Sequence, residues 1–113
     1  MKRIEAIIRQ EKASEVCAAL DRVGHSGVTL SQVEGHGDQK KAWVNIVRGM
    51  SYKVSLQNKT RVEVVVQDED MDKIVKAVRE AALTGEAGDG KIFVHDMADV
   101  IRIRTNETGR AAI

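Results

Sequence analysis

"RVEVVVQDEDMDKIVKAVREAALTGEAGDGKIFV", Arg61 to Val94, holds a strand, a helix and the start of a second strand in one stretch. In RVEVVVQ, Val62, Val64 and Val66 fall on one side and Arg61, Glu63 and Val65 on the other, the period-two pattern of extended chain. The spacing then changes. Met71, Ile74, Val75 and Val78 recur at helical intervals, and Asp68, Glu69, Asp70 and Asp72 crowd the positive amino end of that helix. Gly85 follows its end, and KIFV opens the next strand.

The amino-terminal half repeats the grammar. KRIEAIIR (2–9) sets Ile4, Ala6 and Ile8 against Glu5, Ile7 and Arg9, which predicts a strand. From about Lys12, Val16, Ala19, Leu20 and Val23 fall at i, i+3, i+4 and i+7, and Gly24 suits a left-handed position after a helix. VTLSQVE (28–34) is strand-like again. VIRIR (100–104) alternates Ile101 and Ile103 with Arg102 and Arg104, ahead of a polar tail expected to be free. The order strand, helix, strand, strand, helix, strand predicts an α+β, ferredoxin-like βαββαβ sandwich with both helices on one sheet face. Apolar residues on both sides of the strands (Ala6 and Ile7, Val64 and Val65) suggest that self-association covers the other face.

Composition sets the limits. The 113 residues suit one domain, 1–113, and 42% hydrophobic with 31% charged residues allow a buried core beneath a charged surface. Trp43, Tyr52 and Phe93 are the only aromatics and the formal charge is +1, so neither base stacking nor a basic surface argues for nucleic acid. Anion binding must be local. The single Cys17 reads as a small core residue in a reducing, cytoplasmic setting, and no apolar run approaches the roughly 18 residues of a membrane span. His25, His36 and His95 are too scattered for a zinc site, and Glu69, Asp70 and Asp72 complement a helix dipole.

Between the second and third strands, within 35–59, lie about twenty residues, too many for a hairpin turn of about 2 to 5. WVNIV inside this segment can pair as a small ribbon, but the glycines at its ends and its lysines favour a mobile arm, which no proline stiffens. Trp43 within it is a candidate anchor for a partner protein.

TGEAGDGK (84–91) carries the chemistry. Gly85, Gly88 and Gly90 let backbone N–H groups converge on an anion, and Lys91 adds a full charge; the same glycines also suit a plain turn. The spacing is not GxxxxGK[ST], and the loop runs from helix to strand, so a phosphate loop of the NTPase kind is disfavoured. Arg102 and Arg104, two apart on a strand, would share a face about 7 Å apart and could grip successive phosphates.

TGEAGDGKIFV, VIRIRT, MKRIEAIIR, GHGDQKK and the carboxyl-terminal AAI, in this order and spacing, resemble the nitrogen-regulatory PII signalling family over essentially the whole chain. The resemblance implies a cytoplasmic homotrimer that binds ATP or ADP between subunits, senses 2-oxoglutarate with Mg²⁺, and engages a protein target. That target would be an ammonium transporter, a regulatory enzyme or a transcription factor, met through a T-loop at about 37–57, so that any membrane contact runs through the partner. It further implies a B-loop at about 83–91, where Gly88, Asp89, Gly90 and Lys91 bind phosphates, and a carboxyl-terminal segment at about 100–113, from which Arg102 and Arg104 of an adjacent subunit assist. Ile7, Thr29, Gly35, Glu63 and Val65 would line the adenine and ribose side, and Gly37, Asp38 and Gln39 would sit at the T-loop base. Gln39 becomes the candidate Mg²⁺ ligand and Lys59 the partner of the 2-oxoglutarate carboxylate, with Gln39 and Lys41 the further candidates for that effector.

The departures bear on the same base. Asp38 stands where the family has arginine, and a carboxylate repels a phosphate unless a metal lies between. Lys41 replaces a glycine, and Gln10 and Asn58 replace prolines. Tyr52 aligns with the family's modified tyrosine after a one-residue shift, and Ser51 is the second modification candidate. The leading expectation is a regulatory binding module and not an enzyme. The alternatives are a slow ATPase in the same cleft, for which no nucleophile, base and orienter set is evident, and a relative that senses another effector such as bicarbonate.

Overall fold

The computed structural model describes residues 1–36, 43–47, 50–54 and 56–113, with the backbone alone for 43–47 and 50–54. Strand β1 (Lys2–Arg9) leads through a 3₁₀ turn (Gln10–Lys12) into α1 (Ala13–Arg22), then β2 (Val28–His36). Strands β3 (Trp43–Val47) and β4 (Met50–Val54) precede β5 (Leu56–Val66), and a 3₁₀ turn (Asp68–Asp70) feeds α2 (Met71–Ala82) before β6 (Lys91–Asp96). The main sheet is antiparallel in the order β2-β5-β1-β6, the arrangement the element order predicts.

The apolar periodicities explain the layers. Ile4, Ala6 and Ile8 of β1 and Val62, Val64 and Val66 of β5 point to one side, where they meet Val16, Ala19 and Leu20 of α1 and Ile74, Val78 and Ala82 of α2. Each buried valine, isoleucine or leucine side chain contributes about 1.5–3 kcal/mol, so this seam holds the sandwich together. Val23, Met71 and Val75 pack at its margin, and Cys17 is half-buried beside it and not part of the core. Helix α1 ends as Gly24 predicts: its φ is +82°, and His25 N–H donates to Leu20 O at 2.9 Å, the six-to-one bond that closes such an end.

The other sheet face carries Arg3, Glu5, Ile7, Val65, Phe93 and His95, a mixture of apolar and charged groups with no helix over it. Arg3 and Glu5 lie 3.9 Å apart and Arg61 and Glu63 3.4 Å apart on it. In the long connection, the backbone of β3 pairs with that of β4, the ribbon that WVNIV permits and that the mobile-arm expectation set aside. No helix among the described residues is long and apolar enough to cross a membrane.

Two expectations fail at the carboxyl-terminal end. Residues 100–104 are not a strand: Asn106 N–H donates to Arg102 O at 2.8 Å, Arg102 N–H to Glu107 O at 2.9 Å, and one bridge links Ile101 to Thr108. The Ile/Arg alternation has no neighbouring strand to face, so Ile103 is wholly exposed and the polar TNET segment folds the chain back, with Asn106 at φ +59°. Arg102 and Arg104 therefore do not share a strand face. Nor is the tail free. It forms a 3₁₀ turn (Gly109–Ala112), Asp99 Oδ1 accepts from Gly109 N–H at 3.0 Å, and Arg110 Nη2 meets Glu69 Oε1 at 2.6 Å.

Candidate functional site

Helix α2 stops when Leu83 turns extended, and residues 84–90 carry the chain to β6 through left-handed positions at Gly85, Gly88 and Gly90 (φ +87°, +104° and +95°). Such angles strain any residue with a Cβ. Gly90 has a second reason to be glycine: an added Cβ would lie 1.7 Å from the Ile7 carbonyl oxygen. The loop thus rests directly on the β1 backbone.

Asp89 closes the loop on itself. One carboxylate oxygen accepts the N–H groups of Thr84 and Gly85, each at 2.9 Å; the other accepts the Thr84 hydroxyl and Arg9 Nε, the latter at 3.1 Å. These donors, the Thr84 hydroxyl and amide foremost, hold the carboxyl far below the ordinary aspartate range. Arg9 also donates from Nη2 to Ala87 O at 2.7 Å. Across the sheet Arg9 is register partner to Lys59, whose ammonium donates to Gly88 O. Lys59 is buried, and burial first, then the Arg9 charge, lowers its pKa below the usual lysine value.

In front of the loop opens a cleft of about 360 Å³, lined by Ile7, Gly35, His36, Lys59, Gly88, Gly90, Lys91 and Phe93. It gathers Ile7, Gly35, Lys59, Gly88, Gly90 and Lys91 of the residues singled out from sequence, and His36 beside them. Among the described residues the Lys91 ammonium has neither a hydrogen bond nor an ion pair, so a full positive charge stands beside the backbone of the loop. An anion could take both.

Thr29, Glu63 and Val65 are elsewhere. They line a second cleft of about 400 Å³ with Arg3, His25, Val100 and Ile113, at the end of the sheet where the 100–104 turn begins. Arg102 sits in that turn with Nη1 3.7 Å from Glu107, and the Arg104 guanidinium has no partner among the described residues. Within one chain the residues expected at one site therefore lie at two separate clefts. Gly37, Asp38, Gln39 and Lys41 lie outside the described residues, as do the side chains of Ser51, Tyr52 and Trp43. Among the described residues no group of three or more His, Cys, Asp or Glu is placed to hold a metal.

Sequence reasoning missed Arg9 and Thr84, which shape the loop, and Arg3 and His25, whose Nε and Nε2 are buried at the second cleft without a hydrogen-bond partner among the described residues. Thr84 had a local signal, a hydroxyl five residues before an aspartate in a glycine turn. Arg9 had none, because 80 residues separate it from Asp89.

Known proteins match this chain along its whole length. The family described as nitrogen regulatory protein P-II matches residues 1–107. A nitrogen regulatory protein P-II 1 of Methanothermobacter thermautotrophicus is 50% identical over 113 residues, all of this chain and 97% of the relative. A nitrogen regulatory protein P-II of Rhizobium meliloti is 49% identical over 113 residues, the whole of both chains. The crystal structure of Arabidopsis thaliana PII bound to citrate superposes with a TM-score of 0.81 at 37% identity, covering 99% of this chain and 91% of that one. With the ferredoxin-like sheet and the glycine loop in place, the chain belongs to the nitrogen regulatory P-II family of signalling proteins.

Proposed function

We propose that the chain senses ATP and ADP as a homotrimer and reports the bound state to a protein target through the 37–57 segment. The observation that carries this reading is the division of the site. The glycine loop, Ile7, Gly35 and Lys91 lie at one cleft, while Thr29, Glu63, Val65 and the Arg102 turn lie at another. A nucleotide bridging two copies uses both, with phosphates on the Gly88–Lys91 side of one copy and Arg102 and Arg104 reaching over from its neighbour. The mixed sheet face, with Ile7, Val65 and Phe93 between ion pairs, suits contact with other copies.

Lys59 is the candidate for a second effector. Among the described residues its buried ammonium is held by a single carbonyl, and a dicarboxylate such as 2-oxoglutarate would offer it a charged acceptor in place of Gly88 O. The citrate on the Arabidopsis relative supports a carboxylate ligand in this fold. Gln39, Lys41 and an Mg²⁺ ion on the nucleotide would complete that site, and Asp38 beside them would favour the metal-bound form over the free phosphate. P-II proteins are regulatory and not enzymes; in this reading bound nucleotide acts by changing which arm conformation the target meets. The arm itself, with Ser51 and Tyr52 as modification candidates, would dock on an ammonium transporter, a regulatory enzyme or a transcription factor.

Isothermal titration of the protein with ATP and with ADP, each with and without 2-oxoglutarate and Mg²⁺, tests this reading. One nucleotide per chain is the expected stoichiometry, with affinity reduced in Lys91→Ala. Absence of binding by either nucleotide overturns it, and nucleotide binding that bicarbonate modulates while 2-oxoglutarate does not would reassign the second effector.

A further inference from the structure

The glycine loop is a thin wall. In front of it lies the cleft with Gly35, Lys59 and Phe93; behind it lies another cavity, of about 350 Å³, bordered by Ile8, Val75, Arg79, Leu83 and Asp89. With open volume on both faces, packing fixes this segment only where Gly90 rests on Ile7 and leaves the left-handed turn around Gly85 and Gly88 without side-chain packing to set its shape. Directional bonds complete it; Lys59 Nζ holds Gly88 O, and four others converge on one side chain. Asp89 borders the rear cavity and is absent from the lining of the front one. Its carboxylate takes two amides, a hydroxyl and the Arg9 guanidinium, while Arg9 ties the same carboxylate to the Ala87 carbonyl.

We propose that Asp89 is the positioning residue of the phosphate site: its carboxylate is the loop's resident anion, and by filling the nest at Thr84 and Gly85 it presents the Gly88–Lys91 side to a phosphate. This rests on the nucleotide reading above. It divides the loop's donors into two sets, because the Thr84 and Gly85 amides and Arg9 are satisfied internally and only the later donors and Lys91 remain for a ligand. It also sets a charge boundary, since a phosphate entering the first nest would meet a carboxylate in place. The depressed pKa of Asp89 agrees with a carboxylate that stays ionised at any working pH.

The test uses Asp89→Ala and the near-isosteric Asp89→Asn, with two readouts. Loss of a charged acceptor shared by four donors should weaken ADP binding about tenfold or more in Asp89→Ala, and less in Asp89→Asn, which keeps an acceptor oxygen. Formate, a carboxylate of the right size, should restore most of the affinity of Asp89→Ala and leave the unsubstituted protein unchanged. In nucleotide-free protein, hydrogen exchange at the Thr84 and Gly85 amides should speed about tenfold in Asp89→Ala and slow again with formate. Unchanged ADP affinity in Asp89→Ala overturns the proposal, as does a loss that formate does not reverse, which would mark a packing role. If Asp89→Ala does not fold, unaltered exchange and affinity in Asp89→Asn do the same. Should the unsubstituted protein bind no nucleotide, the function fails while the exchange data still decide whether Asp89 holds the loop.

Discussion

Gly90 lies so close over Ile7 that a single methyl on its α-carbon would come within 1.7 Å of the Ile7 carbonyl oxygen and 2.8 Å of its carbon. The contact joins the glycine loop to a central strand of the sheet without an intervening side chain. Gly90→Ala must therefore displace the backbone on one side, and its φ of +95° adds strain. A loss of about 2–4 kcal/mol of stability is expected, with nucleotide binding reduced further than stability alone explains. Urea unfolding read beside ADP titration measures both.

Lys91→Ala should separate binding from folding. The ammonium has no partner among the described residues, so its removal leaves no buried group unsatisfied and the thermal midpoint should stay within about 2 °C. Nucleotide affinity should fall about ten- to a hundredfold, the loss of one charge-assisted contact. Equal affinity in the variant would remove Lys91 from the site.

Lys59→Met should act in the opposite sense. The side chain is buried with a lowered pKa, so the native state disfavours its charge, and an apolar chain of similar length relieves that cost. Stability at neutral pH should hold or rise. The effect of 2-oxoglutarate on ATP affinity should disappear, and a calorimetric titration that still shows it would place that effector elsewhere.

The acid limb of stability should report Asp89. Its native pKa lies below the ordinary 3.8, so the unfolded chain binds a proton first as pH falls. The stabilisation is complete above the ordinary value and is lost as pH drops below it towards the native pKa. Thermal melts from neutral pH to about pH 2.5 should show the unsubstituted protein above Asp89→Asn by a constant margin that narrows only at the acid end. A margin that is absent at neutral pH would deny the carboxylate its role.

Both helices and the four strands of the main sheet were legible because their apolar residues recur at 3.6 and at 2, and those periods survive whatever surrounds them. VIRIR failed by the same rule. Alternation predicts a strand only if a neighbouring edge exists, and Ile101 finds only Thr108 of its own turn. The glycine loop was also legible, because left-handed positions and the close approach to Ile7 demand residues without a Cβ.

Sequence by itself determined the layer order, the buried seam and the presence of a glycine-built turn before β6, each read from residues near one another in the chain. What tertiary structure decided is which groups serve that turn. Arg9, Lys59 and Asp89 meet only because β1 lies between β5 and β6, which turns separations of 29 and 80 residues into hydrogen bonds at one corner of the sheet. The same register carries Thr29, Glu63 and Val65 to the other end, so residues that the sequence grouped at one site line two separate clefts of the chain.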